Sequence, residues 1–315
     1  MGKVALITGS ASGLAVAFAR QLARDGYDIA LNYRAGKERC EQLAASLTNS
    51  YGINARAFAA DMSREVDVER LVDDVAARFG RLDVVVHSAG PFIARRKRLT
   101  DYTGEEWREM IDGNLSSAFY LFRKAILLMR PRGFGRIVTV GFDRVHEAPG
   151  WAYRSAYAAA KVGLASLTRS IAHEERENGI TANMICPGDI RGRAKESDPP
   201  PEPWHSALRT PVGGDLARVI SLLLQPDAQF ITGNILSLTN GEDILGRYDT
   251  GRSQVVDSRT IPIGAPVRVI PWNSSAVVTD RRDRTNQRSI YTVLRENHLT
   301  QFTVDQLEEE NPDGI

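Results

Sequence analysis

Lys3-Val4-Ala5-Leu6-Ile7-Thr8-Gly9-Ser10-Ala11-Ser12-Gly13-Leu14-Ala15 opens the chain with an apolar run that ends in a glycine-bearing turn and leads straight into a helical pattern. Glycine at positions 9 and 13 lets the backbone turn sharply and approach a bound group closely. The helix that follows directs its first N–H groups at whatever anion lies there. Strand, glycine turn and helix N-terminus in that order predict a unit suited to the pyrophosphate of a dinucleotide. Such a turn also occurs as an ordinary strand-to-helix connection, so the remaining chain has to decide between the two. Ala15 stands where a third glycine is usual, a position that requires only a small residue for helix packing.

Outward from that stretch the same rhythm repeats through much of the 315 residues. Strand-like runs at 3–8, 28–33, 55–60, 82–87, 136–140, 181–185 and 234–238 alternate with helical stretches at 14–25, 37–51, 65–79, 105–130, 156–178 and 215–224. Successive βαβ units of this kind predict an α/β doubly wound parallel sheet, the Rossmann architecture, with helices on both faces. Asp198-Pro199-Pro200-Pro201-Glu202-Pro203 interrupts the rhythm and reads as a loop, because serial prolines neither continue a helix nor pair in a central strand. Beyond about Arg247 the texture changes to short period-two stretches at 266–271, 275–280, 289–295 and 299–304, with apolar residues such as Val267, Trp272 and Tyr291. The expected organisation is a Rossmann domain over 1–247, a linker over 248–262, and a small C-terminal all-β, barrel-like module over 263–315 whose strand spacing resembles an SH3-like fold.

Forty lysines and arginines against 39 aspartates and glutamates give a formal charge of +1, which argues against a general affinity for nucleic acid or membrane. Cys40 and Cys186 stand far apart and belong to no metal-binding spacing, so reduced thiols, no metal site and a cytoplasmic location are expected. The first strand begins almost at the N-terminus, which leaves no room for a signal peptide, and no apolar run is long enough to span a bilayer. Arg95-Arg96-Lys97-Arg98 suits either an acidic acyl carrier or plain solvation. Arg281, Arg282, Arg284 and Arg288 fall in an expected hairpin, where basic residues either bind nucleic acid or protect an edge strand, and the lack of a clear aromatic stacking platform favours the second.

Chemistry enters with Tyr157 and Lys161. Four residues apart on a helix they share a face, so the ammonium can lie beside the phenol and favour its ionised form. A phenol near pKa 10 needs that help to act near neutral pH. Asn114 lies within the stretch read as one long helix, where it serves as a helix-bending residue or as part of a proton relay.

Taken together, Thr8-Gly9-x-x-x-Gly13-x-Ala15, His87-Ser88-Ala89-Gly90, Asn114, Tyr157-x-x-x-Lys161 and Pro187-Gly188 resemble the ordered motifs of the short-chain dehydrogenase/reductase family, near its 3-oxoacyl-carrier-protein reductase branch, as far as about Gly246. The resemblance implies a carbonyl reductase or alcohol dehydrogenase in which Tyr157 donates the proton, Lys161 holds the ribose and assists the phenol, and Asn114 holds a relaying water. It implies cofactor contacts by Gly9, Ser12, Gly13 and Leu14 in the first loop, by Asp61 and Met62 at the adenine, by Ser88, Ala89 and Gly90 after the fourth strand, and by Pro187, Gly188 and Ile190 at the nicotinamide. Leu31-Asn32-Tyr33-Arg34 ends the second strand without an acid, and a guanidinium suits a 2′-phosphate, so NADP(H) is expected over NAD(H). The substrate implied is a small-molecule or acyl-thioester carbonyl, and the assembly a homodimer or homotetramer through helices 105–130 and 156–178, with Phe119, Tyr120, Phe122, Leu127 and Leu128 as surplus apolar residues.

Two departures from the family pattern stand out. His87 replaces the usual first asparagine of its motif and reads as a hydrogen-bonded brace at a strand end. The serine that orients the substrate carbonyl falls on Gly141 or Phe142 when aligned by the strand, and on Asp143 or Arg144 when counted back from Tyr157. None carries a hydroxyl. Loss of such a donor costs about 3–4 kcal/mol of transition-state stabilisation. Arg144 or His146 donates instead, or Ser155 or Thr139 reaches in, or the chain is a cofactor-binding sensor or scaffold with little turnover. Ser155 itself reads first as the cap of the helix that carries Tyr157.

Overall fold

The structure, a computed structural model, describes residues 2–92, 96–199 and 211–245 throughout, and in the tail the backbone of five strands. The chain divides into two compact units, Met1–Asp249 and Thr250–Ile315.

In the first unit seven strands, β1 (Val4–Ile7), β2 (Asp28–Tyr33), β3 (Ala55–Ala59), β4 (Val84–His87), β5 (Gly135–Val140), β6 (Ile180–Pro187) and β7 (Ile235–Leu238), form one sheet in the order β3-β2-β1-β4-β5-β6-β7. Every pairing is parallel. The strands need no alternation because both faces are buried: β1, β4 and β5 are covered along their whole lengths. One core lies under α1 (Leu14–Arg24), α2 (Lys37–Tyr51) and α7 (Gly213–Leu223). The other lies under α3 (Glu65–Phe79), α5 (Ser117–Met129) and α6 (Ser155–Glu174). Strand order reverses between β1 and β4, which opens a crevice at their C-terminal ends, the place where such sheets bind ligands.

The stretch 105–130, expected as one helix, is two. α4 (Gly104–Ile111) starts in a capping box between Thr103 and Glu106, and a π-helical turn, Asp112–Ser116, separates it from α5. The cause is tertiary. A Cβ at Gly113 would meet Pro91 Cδ at 2.3 Å, so the helix presses glycine against the loop after β4. The Asn114 amide donates to the carbonyls of Pro91 and Met110, both at 3.0 Å. Widened turns of this kind cluster at functional sites. The stretch 156–178 also ends early, at Glu174, and finishes as a 3-10 turn, Arg176–Asn178.

The tail strands β8 (Pro266–Val269), β9 (Ser274–Arg284), β10 (Gln287–Arg295), β11 (His298–Thr303) and β12 (Leu307–Glu309) pair in the order β11-β10-β9-β8-β12. The β8–β9, β9–β10, β10–β11 and β8–β12 pairings are antiparallel. Arg281, Arg282 and Arg284 lie on β9 and Arg288 on the strand that pairs with it. The apolar side chains expected to form a core for this module lie outside the described residues, as do Arg95, Pro200, Pro201 and Pro203.

Candidate active site

The glycine turn after β1 is built around Asn32. Its side-chain oxygen accepts from Gly9 N–H at 3.2 Å, its backbone carbonyl accepts from Ser10 N–H at 2.7 Å, and its amide donates to Ala60 O at 3.1 Å. Gly9 has φ +70°, and a Cβ there would meet Ala89 Cα at 3.0 Å, so both conformation and space demand glycine. Ser12 and Leu14 flank Gly13 at the start of α1. The Gly13 N–H is already engaged by an anion: it donates to Glu196 Oε1 at 2.9 Å. That carboxylate stands in for a ligand phosphate, so the turn fits the dinucleotide that the sequence implies. Glu196 also pairs with Arg39 at 3.2 Å, and Arg20 donates to its backbone carbonyl at 2.7 Å. The cleft there, about 470 Å³, is lined by Arg20, Arg39, Gly192, Arg193, Glu196 and Ser197. Sequence reasoning missed Glu196 and the arginines that hold it against the glycine turn, because Glu196 is 183 positions from Gly13.

Arg34 is exposed at the end of β2, 4.0 Å from the Asp61 carboxylate. Burial pushes the Asp61 carboxyl up, but hydrogen bonds from Ser63 and the nearby arginines win and hold it below its ordinary value. Met62 is buried beside it. Pro187 ends β6, Gly188 N–H donates to Leu238 O at 3.1 Å, and Ile190 is buried just beyond.

His87, fully buried, braces the ends of three elements. Thr8 Oγ1 accepts from the N–H groups of Ser88 and Ala89 at 3.1 and 3.0 Å, so its own proton points to His87 Nδ1 at 3.1 Å. The ring's Nε2–H then donates to Ser117 Oγ at 3.2 Å, and Ser117 donates to Gly113 O at 2.8 Å. The chain of bonds requires a neutral imidazole, and burial, helped by Lys161, pushes its pKa down to about 3. A Cβ at Gly90 would fall 2.2 Å from Asn114 Oδ1, so the loop after β4 and the π-helical turn interlock at that glycine. Asn114 Oδ1 is buried without a hydrogen-bond partner.

Tyr157 and Lys161 share one face of α6, as their spacing predicts, yet they do not interact as expected. The Lys161 ammonium donates to Val140 O at 2.8 Å and stands 5.7 Å from the Tyr157 ring centre. Burial pushes the Lys161 pKa down to about 8. Burial also drives the Tyr157 hydroxyl well above its ordinary value, so desolvation outweighs any help to its ionisation in this arrangement.

The positions of the missing serine are now explicit. A Cβ on Gly141 would meet Met184 Sδ at 2.5 Å and Cys186 Sγ at 2.9 Å, so that position has no room for a side chain. Phe142 is buried with its ring 5.1 Å from Trp151 and 6.1 Å from Tyr157. Asp143 is buried and accepts from Ile244 N–H at 3.1 Å. Arg144 and His146 face Glu147, and Arg144 bonds it at 2.6 Å. Thr139 bonds Thr168 at 2.9 Å. Ser155 does not cap α6, whose N-cap is Arg154; its hydroxyl is buried without a partner.

Cys40 and Cys186 are free and buried, and burial pushes both thiols up to about 12. Among the described residues there is no cluster suited to a metal, and no helix is long and apolar enough to cross a membrane. Lys97 pairs with Glu106, so the basic run is less solvated than its composition suggests. Phe122 belongs to the core and Tyr120 and Leu128 pack on it, while Phe119 and Leu127 stay exposed.

Residues 9–242 match the family described as Enoyl-(Acyl carrier protein) reductase. The chain is 40% identical over 252 residues to a protein of Bacillus subtilis named as an oxidoreductase, YtkK, covering 78% of this chain and 98% of the relative. A solved structure from Bacillus thuringiensis, named as a 3-oxoacyl-reductase, is 39% identical with a TM-score of 0.72 and covers 78% of this chain and 100% of its own. A blue fluorescent protein from a metagenomic library, solved in complex with NADPH, is 31% identical with a TM-score of 0.66 over 76% of this chain and 97% of its own. With the motifs standing in one crevice of a parallel seven-stranded sheet, the chain belongs to the short-chain dehydrogenase/reductase family of nicotinamide-dependent oxidoreductases.

Proposed function

We propose that this oxidoreductase is an NADP(H)-dependent carbonyl reductase acting on a 3-oxoacyl compound or related ketone, with Tyr157 as proton donor. The observation that carries the reading is the arrangement of Tyr157 and Lys161 on α6 beside the π-helical turn that presents Asn114, whose Oδ1 is a buried acceptor without a partner. Gly9, Ser12, Gly13 and Leu14 would hold the phosphates, Asp61 and Met62 the adenine, Ser88, Ala89 and Gly90 the middle of the cofactor, and Pro187, Gly188 and Ile190 the nicotinamide. A bound reduced nicotinamide supplies the hydride. Arg34, with no acid at the end of β2, supports NADP(H) over NAD(H), as does NADPH in the metagenomic relative.

Tyr157 holds its proton at neutral pH, since burial raises its pKa. As the carbonyl oxygen gains charge, the Tyr157 O–H bond breaks and the alcohol O–H bond forms. The phenolate left behind favours a nearby cation, so Lys161 has reason to leave Val140 O for it, while Asn114 Oδ1 anchors the route by which a proton returns. Following NADPH absorbance with ketones and 3-oxoacyl thioesters, Tyr157→Phe as control, tests the reading. Equal rates in both proteins reject it.

A second reading, a cofactor-binding sensor or scaffold with little turnover, is favoured by one observation: a phenylalanine ring packs on Tyr157 where the strand alignment puts the serine. Tight NADPH binding without reduction of any compound supports it. The division of the chain into 1–247, a linker 248–262 and an SH3-like module 263–315, the cytoplasmic location, and a dimer or tetramer using the exposed Phe119 and Leu127 belong to this proposal as well.

A further inference from the structure

Beyond β7 the chain turns back on itself. Asn240 and Gly241 take positive φ, +56° and +75°, and Glu242 N–H donates to Thr239 O at 3.1 Å, the φ pattern and hydrogen bond of a type I′ turn. Thr239 borders the loop after β6, since a Cβ on Gly188 would stand 3.3 Å from Thr239 Cα. Ile244 and Leu245 then run inward, 7% and 3% exposed, although the first unit ends at Asp249.

The loop after β5 holds them there. Asp143 Oδ2 accepts from Ile244 N–H at 3.1 Å, and the next residue, Arg144, reaches Asp243 at 3.7 Å, so two consecutive residues grip two others in reverse order. The half-exposed ion pair contributes little. Asp143 differs in being 4% exposed: a carboxylate out of water destabilises a fold unless donors satisfy it, and an apolar residue of similar size would pack there at lower cost. Arg144 has φ +56°, a left-handed conformation that residues other than glycine avoid. An unfavourable residue type beside an unfavourable backbone angle, both making one long-range contact, marks a device that fixes position rather than one that adds stability.

What lies next to this clamp is Tyr157. Phe142, one residue before Asp143, sets its ring 6.1 Å from that of Tyr157, and Leu245, one residue after Ile244, lies in the same core as Phe142 and Val145, against which Tyr157 packs. Both ends of the hydrogen bond therefore continue into the packing around the phenol. We infer that Asp143 is a positioning residue of proton transfer: by holding Ile244 N–H it locks the loop after β5 to the 239–245 return segment, and the two together set where the Tyr157 hydroxyl stands. This rests on the reading of Tyr157 as proton donor to a carbonyl. The role needs an acceptor at position 143 and no charge, and it is separate from the glycine turn, so cofactor affinity does not depend on it. A displacement of about 1 Å in a reacting group costs on the order of a hundredfold in rate.

The experiment compares full-length wild type with Asp143→Asn, Asp143→Ala and Ile244→Pro, the last of which removes the donor from the other side of the bond. Turnover of the ketone or 3-oxoacyl thioester that the wild type reduces fastest is followed by NADPH absorbance in H2O and D2O, NADPH affinity by fluorescence titration, and protection of the 239–245 amides by hydrogen exchange. Asp143→Ala is expected to lose about tenfold or more in kcat, with a larger solvent isotope effect, an unprotected Ile244 amide, and NADPH affinity within about twofold of wild type. Asp143→Asn keeps an acceptor oxygen and stays within about threefold of wild type on every count. Ile244→Pro matches Asp143→Ala, and combining the two adds nothing further. Should one of these two variants not fold, the other decides. A folded Asp143→Ala or Ile244→Pro with wild-type kcat, an Asp143→Asn as slow as Asp143→Ala, or NADPH affinity lost in step with kcat overturns the inference. A wild type that reduces no compound is a different result: it rejects the reading of Tyr157 as proton donor, and the inference falls with it.

Discussion

Glu196 Oε1 accepts a hydrogen bond from Gly13 N–H at 2.9 Å, so a carboxylate of the protein sits on the helix N-terminus that the cofactor phosphates are expected to use. Two anions cannot share that donor, and Arg39, which pairs with Glu196 at 3.2 Å, is drawn into the same competition.

Glu196→Gln should therefore tighten NADPH binding by about three- to tenfold, near 1 kcal/mol, because the amide is a weaker competitor for Gly13 and leaves Arg39 without its anion. Calorimetric or fluorescence titration reads the change. Binding weakened tenfold would instead assign Glu196 to holding the segment closed over the bound cofactor.

His87 predicts an acid limit on stability. Its pKa in the folded protein is lowered to about 3 from an ordinary 6.5, so the unfolded chain binds the proton more readily. Stability contributed by the neutral ring is present above about pH 6.5 and is lost as pH falls, by up to about 1.4 kcal/mol per unit over that window. Thermal unfolding from pH 7.5 to 5 should show the fall, and His87→Asn, which cannot titrate, should flatten it. An identical acid limb in both proteins would move the effect elsewhere.

Restoring the serine separates two adjacent positions. Gly141→Ser should lower stability by about 1–3 kcal/mol, because Met184 and Cys186 already occupy the space. Phe142→Ser should lower it by about 3–5 kcal/mol through the cavity left among the rings, while placing a hydroxyl beside Tyr157. If the protein still folds, its turnover of neutral ketones should rise by tenfold or more. No gain in folded Phe142→Ser would mean that the strand alignment does not locate the serine's role.

Lys161, lowered to about 8 by burial, predicts an alkaline limb in the free enzyme. Above that pH the neutral amine no longer stabilises a phenolate, so kcat/KM should decline, and Lys161→Arg should lose the limb along with much of the rate. A profile flat to pH 9.5 in the wild type would contradict the assignment.

Much of this molecule was legible in the order of its residues. β2, α2 and α3 run over the residues their patterns predict, since Gly36, Gly52 and Gly80 mark helix ends and period 3.6 gives way abruptly at each. The glycine turn and the Tyr157–Lys161 spacing are equally local, because a turn needs glycine where φ is positive and four residues bring two side chains to one helical face. The break at Asp112–Ser116 was not legible: apolar spacing continues across it, and only the pressure of Pro91 on Gly113 widens the turn.

Sequence by itself determined the parallel sheet and the order of the site motifs, because those follow from periodicities and turn chemistry confined to a few neighbouring residues; the switch point between β1 and β4 came only with the pairing of the strands. Tertiary structure alone decided that Glu196 reaches Gly13, that Lys161 turns to Val140 and that Phe92, Phe142 and Trp151 pack around Tyr157. Those contacts join residues tens to nearly two hundred positions apart, or depend on which of several rotamers the packing admits. Burial, which sets the protonation of His87, Tyr157 and Lys161, exists only once the sheet and its helices have closed around them.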